Sequence, residues 1–419
     1  MTSLSAAPGT ATEGAATAPH AEWARPGGDL RALVAGGAAY GAASVDGACG
    51  VVARHGSQVV DLAALARATR RDLVDILAAP SLNRLLAAGR RTWQDVDAWV
   101  ASAIATGAAD RFCHHADEVR MLLPVDVADY VDFYASEDHA TNAGKIFRPN
   151  ADPLLPNWKH LPVCYHGRAG TVVVSGTPIV RPCGQRKAPR APAPVFGPTE
   201  RLDVEVELGF VVGLGSQLGD RVAARAWRDH VFGVVVVNDW SARDIQAWES
   251  APLGPMLGKS FATSISAWVT PLDALSAAWL DPPRRDVALL DYLADPPEPS
   301  ALDIRLELVV NGEVISRPRF AGMYWTAAQQ LAHLTANGAS LRTGDLYASG
   351  TISGPTPGER GCLLELTWGG EQPLALAENR ALSYLDDGDE VVIRASAPGP
   401  AGSVVTLGEV AGSIEPARW

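Results

Sequence analysis

The chain has 419 residues, 47% of them hydrophobic and 20% charged, and a formal net charge of −12. That length fits about two or three domains, and the apolar share suffices for sizeable buried cores. So acidic a balance argues against nucleic acid as a partner, since phosphate binding needs a basic face; a local basic pocket for a small acid remains compatible with it.

Residues 1–28 are rich in Ala, Thr, Gly and Pro, and no Lys or Arg precedes Arg25. Without a basic segment leading into an apolar one they do not form a secretory signal, and a disordered tail is expected. No apolar run approaches the roughly 18 residues that a membrane-spanning helix needs, so no membrane role is expected. The five cysteines, Cys49, Cys113, Cys164, Cys183 and Cys362, are scattered and show no CxxC spacing. They read as reduced thiols of a cytoplasmic protein, not as a disulfide framework or a zinc site.

From Ala32 to Leu65 the pattern is short and strand-like, with Val51, Val52 and Val59, Val60 flanking a turn at His55-Gly56. From Leu62 to Ile104 the spacing turns helical: Leu73, Ile76, Leu77, then Leu82, Leu85, Leu86, then Trp93, Val96, Val100. These features define an N-terminal domain over 29–123, with Arg111 to Arg120 as connector and a boundary near Pro124. Over 124–419 strand signals dominate: Val172–Val174, Val204–Val212, Val231–Val237, Ile304–Val310, Leu363–Trp368 and Glu390–Arg394. Asn311-Gly312 is a two-residue hairpin turn. The prolines of Pro182–Pro198 and Pro282–Pro299 predict irregular loops, and short helices are expected only near Ala223–His230 and Thr326–Asn337. The expected fold is α+β, mainly β.

The most informative stretch is Val204-Glu205-Val206-Glu207-Leu208. In a strand the valines face one side and both glutamates the other. Two carboxylates so close repel unless something positive neutralises them, and a hard cation with oxygen ligands would do so. The same alternation also fits the solvated face of a half-exposed strand, which is the commoner case. Asp239 ends the apolar run Val231–Val237, and Asp132 sits among the aromatics Tyr130, Phe133 and Tyr134. Asp239 could instead cap the segment that follows, and Asp132 could fix a turn. His139 lies in a polar segment and could serve as a general base or as a plain structural histidine. Glu365, in an apolar strand-like run, needs a buried partner, and a histidine would suit it. Arg148, Arg243, Gln246 and Lys259 fall in turn-rich segments; the arginines and the lysine suit a substrate carboxylate or developing negative charge, or else surface ion pairs. Ser349–Gly354 is a small-residue loop that could offer N–H groups to an anion, or a simple turn. Gly213-Leu214-Gly215 lacks dinucleotide-binding spacing, and GxSxG, P-loop and HExxH patterns are absent.

Longer segments carry a resemblance. Asp129-Tyr130, Asp132-Phe133-Tyr134, His139-Ala140-Thr141-Asn142, Phe147-Arg148, Leu154-Leu155-Pro156-Asn157-Trp158 and Tyr165-His166-Gly167-Arg168 are part of it. So are Asn238-Asp239-Trp240-Ser241-Ala242-Arg243-Asp244-Ile245-Gln246, Gly258-Lys259-Ser260-Phe261, Met323-Tyr324-Trp325 and Ser349-Gly350-Thr351-Ile352-Ser353-Gly354-Pro355. Together they resemble the fumarylacetoacetate hydrolase family, over about residues 30–415. The resemblance implies a small SH3-like N-terminal barrel, a mixed β-roll catalytic domain over 124–419, and a homodimer. It implies a divalent cation, Mg²⁺, Ca²⁺ or Mn²⁺, held by Asp132, Glu205, Glu207 and Asp239, with a second Mg-type position shared by Asp239, Lys259 and Thr263. It implies His139 as base oriented by Glu365, and Arg243, Gln246 and Lys259 stabilising the oxyanion and the leaving carbanion. Tyr134, Arg148, Tyr165, Gln246 and Thr351 would hold the substrate. The implied reaction is hydrolysis of a carbon–carbon bond in a 1,3-diketo acid, fumarylacetoacetate, giving fumarate and acetoacetate in tyrosine and phenylalanine breakdown.

The chain departs from the family at Ser250, where the family has a substrate-contacting tyrosine, and at Cys164 and Ala262, where it has glycines. Ser250 keeps an alternative open, the same fold and metal acting on another diketo acid or as a decarboxylase. A metal-stabilised binding protein without catalysis is a third reading, against which His139 and Glu365 both stand.

Overall fold

The structure, a computed structural model, describes residues 38–188 and 190–418. The tail expected over 1–28 and the first residues of the expected N-terminal domain lie outside the described residues. Among the described residues no helix is long and apolar enough to cross a membrane.

The chain begins with a five-stranded antiparallel sheet, in the order Cys113–His115, Gln58–Asp61, Ala48–His55, Tyr40–Val45, Arg120–Leu122. His55 pairs with Gln58, so the turn falls on Gly56-Ser57, one residue beyond the expected position. Arg111 to Arg120 is more than a connector. Cys113, His114 and His115 pair with Val60, Val59 and Gln58, and Arg120 pairs with Ser44, so the segment supplies part of both outer strands. Asp61 ends the third strand and caps the helix Leu62–Thr69, accepting from Ala64 N at 2.9 Å. The helix Arg90–Ala105 buries Trp93, Val96, Val100 and Ala103, steps of three and four that form one face.

The rest of the chain is built on two sheets. The larger has eight strands. Seven run Cys164–His166, Tyr130–Phe133, Leu346–Ala348, Val206–Val212, Val231–Asp239, Thr263–Ile265, Val172–Val174, and Thr270–Pro271 also pairs with Val231–Asp239. It is mixed: Leu346–Ala348 runs parallel to Tyr130–Phe133, and Thr263–Ile265 parallel to Val172–Val174. The second sheet joins Glu313–Ser316, Arg305–Val310, Glu390–Pro398, Val404–Glu415 and Ile179–Val180. Asn311 and Gly312, both at positive φ, form the expected hairpin turn of that sheet.

Val231–Asp239 is buried at every position because both its faces are covered. One face joins the main core with Leu208, Phe210, Trp227 and Ile393; the other, through Phe232, Val235 and Val237, packs on the N-terminal unit. Trp93 is one of the contacts there. Its ring meets Phe232 edge-on at 5.2 Å and approaches Gly213, where a β-carbon would lie only 2.3 Å from it. Gly213 is thus a packing glycine, and truncating Trp93 to alanine would cost about 3–5 kcal/mol.

Four sequence expectations change here. The Val204–Val212 run is not one strand: Leu202–Asp203 pairs with Ser241–Ala242, Glu205 bridges to Cys362, and the long strand starts at Val206. Leu363–Trp368 is not a strand; Leu363–Leu366 is one short helix, buried throughout, so its apolar run has no readable period. Helices Glu137–Phe147 and Arg243–Glu249 join the two expected in this half. The first buries His139, Ala140, Ala143 and Gly144, a face too polar and small to register as hydrophobic. The proline-rich Pro182–Pro198 contains a hairpin, Cys183–Arg186 with Val195–Pro198.

Candidate active site

Three strands bring four acids together. Asp132 stands opposite Tyr165 on paired strands, and Asp239 stands opposite Thr263 on another pair. Glu207 lies on Val206–Val212, opposite Val237, and Glu205 just precedes that strand. The alternation holds: Val204, Val206 and Leu208 enter the main core while the glutamates face the other way. That other side is not solvent, since Glu205 is 4% exposed and Glu207 fully buried. Asp132, Glu205, Glu207 and Asp239 each offer an oxygen within 4.8 Å of the others.

The loop after Leu346–Ala348 closes the cluster. Gly350 N donates to both Asp132 Oδ1 and Glu207 Oε2, at 3.1 Å each. Gly350 has φ +76, and a β-carbon there would meet Phe133 O at 2.2 Å, so only glycine can turn its amide onto the acids. The small-residue loop therefore presents an N–H to carboxylates of the chain itself.

Cationic side chains pair directly with only half of the cluster. Lys259 Nζ bonds to Glu205 Oε2 and, at 2.8 Å, to Asp239 Oδ2. Arg243 Nη1 meets Glu205 Oε1 at 2.7 Å and donates to Gln246 Oε1 at 3.1 Å. Asp239 also accepts from Tyr165 OH at 2.6 Å and from Thr263 Oγ1 at 2.8 Å. Among the described residues no cationic side chain pairs with Asp132 or Glu207, and Glu207 Oε1 has no hydrogen-bond partner.

The charges respond accordingly. Burial and the neighbouring Asp239 push the Asp132 carboxyl well above its usual range, and burial with Asp132 and Glu205 does the same to Glu207. Burial would raise Glu205 too, but Lys259 and Arg243 outweigh it and hold that carboxyl well below the usual range. Burial opposes the Lys259 ammonium, yet Asp239 and Glu205 raise it above the ordinary lysine value. Two buried acids starved of positive charge, one with a bare oxygen, fit a hard divalent cation with oxygen ligands.

Beside this cluster lies an acid–base pair. His139, on the helix capped by Ser136, faces Glu365 through Nδ1 at 2.6 Å from Oε2. Glu365 also accepts from Ser353 Oγ at 2.7 Å, from Cys362 Sγ at 3.2 Å and, through Oε1, from Asn142 Nδ2 at 2.9 Å. Burial opposes its ionisation, but His139, Asn142 and Ser353 together bring its pKa down to about 2. With Glu365 ionised, Nδ1 is the donor of this bond and Nε2 is the ring nitrogen outside it. The backbone bridge of Glu205 to Cys362 joins the pair to the cluster.

The remaining expected residues are less alike. The Tyr134 ring meets the His139 ring edge-on at 5.2 Å. Thr351 is buried, and its hydroxyl, like Arg243 Nη2, has no partner among the described residues. These are two donors without acceptors, as an oxygen-rich ligand would require. Arg148 is exposed and donates to Pro153 O at 2.8 Å, not to any acid of the cluster. Ser250 closes the C-terminal end of Arg243–Glu249, its hydroxyl 2.5 Å from Gln246 O. Sequence reasoning missed Asn142, Ser353, Cys362 and Asp203. Asn142 had a signal, since it follows His139 by three residues and shares its helix face; Asp203 had none.

Residues 129–413 match the family described as fumarylacetoacetate (FAA) hydrolase, C-terminal. The fumarylacetoacetase of Homo sapiens is 42% identical over 381 residues, covering 86% of this chain and 90% of that protein. The fumarylacetoacetase of Rattus norvegicus is 44% identical over 352 residues, covering 80% and 84%. A solved fumarylacetoacetate hydrolase from psychrophilic Exiguobacterium antarcticum shares the fold, with TM-score 0.55 at 18% identity, covering 91% of this chain and all of that one.

Proposed function

The chain belongs to the fumarylacetoacetase family, and from that premise we propose that it hydrolyses fumarylacetoacetate to fumarate and acetoacetate. The observation that carries the reading is the buried pair of His139 and Glu365, 2.6 Å apart, set against four buried carboxylates, two of which have no cationic side chain in contact.

Asp132, Glu205, Glu207 and Asp239 would hold a divalent cation, Mg²⁺, Ca²⁺ or Mn²⁺, and Glu207 Oε1 is the atom left open for it. A second, Mg-type position would use Asp239 and Thr263; the Lys259 ammonium beside them has no lone pair and would contribute charge there. What the cation supplies when bound is Lewis acidity toward the paired oxygens of a 1,3-diketone.

His139 Nε2 takes a proton from water, and the hydroxide attacks the fumaryl carbonyl carbon. Glu365 holds the imidazole and offsets its positive charge. The free Nη2 of Arg243, with Gln246 and Lys259, receives the oxyanion and the leaving carbanion's charge. The carbon–carbon bond to the acetoacetate unit then breaks, and the proton held by His139 returns to the carbanion carbon. Tyr134, Tyr165, Gln246, Thr351 and Arg148 hold the substrate, Arg148 after leaving Pro153 O for a carboxylate. With Ser250 bonded back to its own helix, the pocket lacks the hydroxyl that a tyrosine would bring, which favours as a second reading a related diketo acid or a decarboxylation.

We read 29–123 as the SH3-like domain and 124–419 as the catalytic β-roll; the five-stranded sheet and the two-sheet core support that division. A homodimer in the cytoplasm follows from the family, and exposed Phe196, Trp248, Leu253 and Met256 supply apolar surface for a second copy. The test is fumarate release from fumarylacetoacetate, with and without a chelator. No turnover by cation-loaded protein refutes the substrate; turnover that survives thorough chelation refutes the cation.

A further inference from the structure

We propose that Asp203 is a positioning residue, whose single carboxylate sets both Arg243 and the helix that bears Glu365. The proposal rests on the hydrolase reading above. Asp203 is fully buried and accepts four hydrogen bonds. Oδ1 takes Val204 N at 2.8 Å and Leu363 N at 2.7 Å. Oδ2 takes Leu364 N at 3.0 Å and Arg243 Nε at 2.7 Å.

The two arms have different consequences. The helix Leu363–Leu366 has only four residues, far below the length at which a helix stands alone. Its N-cap, Cys362, makes no side-chain cap bond. Asp203, some 160 residues earlier in the chain, supplies that cap by taking the first two amides. Glu365 is the next residue, so the direction in which it meets His139 is inherited from Asp203.

The second arm acts through a planar group. Asp203 fixes Nε of Arg243 and Glu205 fixes Nη1. A guanidinium held at two of its nitrogens has its third direction determined, and the third, Nη2, is the buried donor without a partner. Asp203 thereby aims the one free N–H group of Arg243 while it seats the partner of the base. A carboxylate that merely satisfied a core would not be shared between the two halves of one proposed site.

The test is Asp203→Asn in the full-length protein loaded with Mg²⁺. An amide has a single acceptor oxygen and cannot keep all four bonds: with that oxygen at the Oδ1 position Arg243 Nε and Leu364 N lose their acceptor, and at the Oδ2 position Leu363 N does. The expected result is a kcat lower by on the order of 10²-fold, as for a small misplacement of catalytic groups, with KM little changed. Combined with Arg243→Lys, its effect on kcat should be less than multiplicative. If Asp203→Asn does not fold, Asp203→Ser, whose single hydroxyl offers a short cap and no carboxylate to the guanidinium, is measured in its place. A folded variant with wild-type kcat, or one whose loss lies entirely in melting temperature or KM, overturns the proposal. A wild-type protein that fails to release fumarate overturns the hydrolase reading instead, so the two failures are told apart.

Discussion

Loading the four-acid cluster with a divalent cation should expel protons. Lys259 and Arg243 serve Glu205, Asp239 and Asp203, and none of that charge is in contact with Asp132 or Glu207. Both of those carboxyls are pushed well above their ordinary values of 3.8 and 4.5, so without a cation they retain protons that a ligand must give up. Binding should release about one to two protons, and each should make apparent affinity rise about tenfold per pH unit while the acids still titrate. Stability carries the matching sign. A folded carboxyl with a raised pKa binds more protons than its unfolded counterpart, so the cation-free protein loses stability as pH climbs above those ordinary values. Saturation at about 100 times Kd should restore about 2.7 kcal/mol. Calorimetric titration of chelator-treated protein with Mg²⁺ or Ca²⁺, in buffers of different ionisation enthalpy, counts the protons directly. Zero proton release with an affinity indifferent to pH would refute the charge accounting and the cluster's role as a cation site.

His139→Ala should fold normally, since Asn142 and Ser353 still bond to Glu365, yet lose about 10²- to 10⁴-fold in fumarate release; near-normal turnover would show another base at work. Lys259→Met leaves Glu205 and Asp239 short of a shared charge and should cost about 3–5 kcal/mol in cation-free protein, measured as a lower denaturation midpoint. Glu365, held to about 2, contributes stability that is full above 4.5 and lost as pH falls toward that lower value. The gap in melting temperature between wild type and Glu365→Gln should therefore close across that acid window. Ser250→Tyr gives up the bond to Gln246 O and should lower KM for fumarylacetoacetate if the aromatic hydroxyl is a substrate contact; an unchanged KM would count against it.

Much of the frame is local and therefore legible in the chain. The Val-Glu alternation, the Val231–Val237 run and the Asn311-Gly312 turn need only neighbouring residues to be read, and each reappears in the fold. The helix carrying His139 escaped because its buried face is made of His139, Ala140, Ala143 and Gly144, which carry little hydrophobic signal. Glu365 was assigned to a strand because Leu363, Leu364 and Leu366 are all buried, and a run buried on every side has no period to distinguish helix from strand.

The sequence by itself determined which acids and bases were candidates and which family the chain resembles. It could not determine whether Glu205 and Glu207 face water or an enclosed cluster, because that depends on Asp132, Asp239 and Gly350 arriving from distant strands. Nor could it reveal Asp203, whose partners lie 40 and 160 residues away. Periodicity records what a residue's neighbours along the chain require; the pairing of buried charges is decided by residues that meet only when the sheets close.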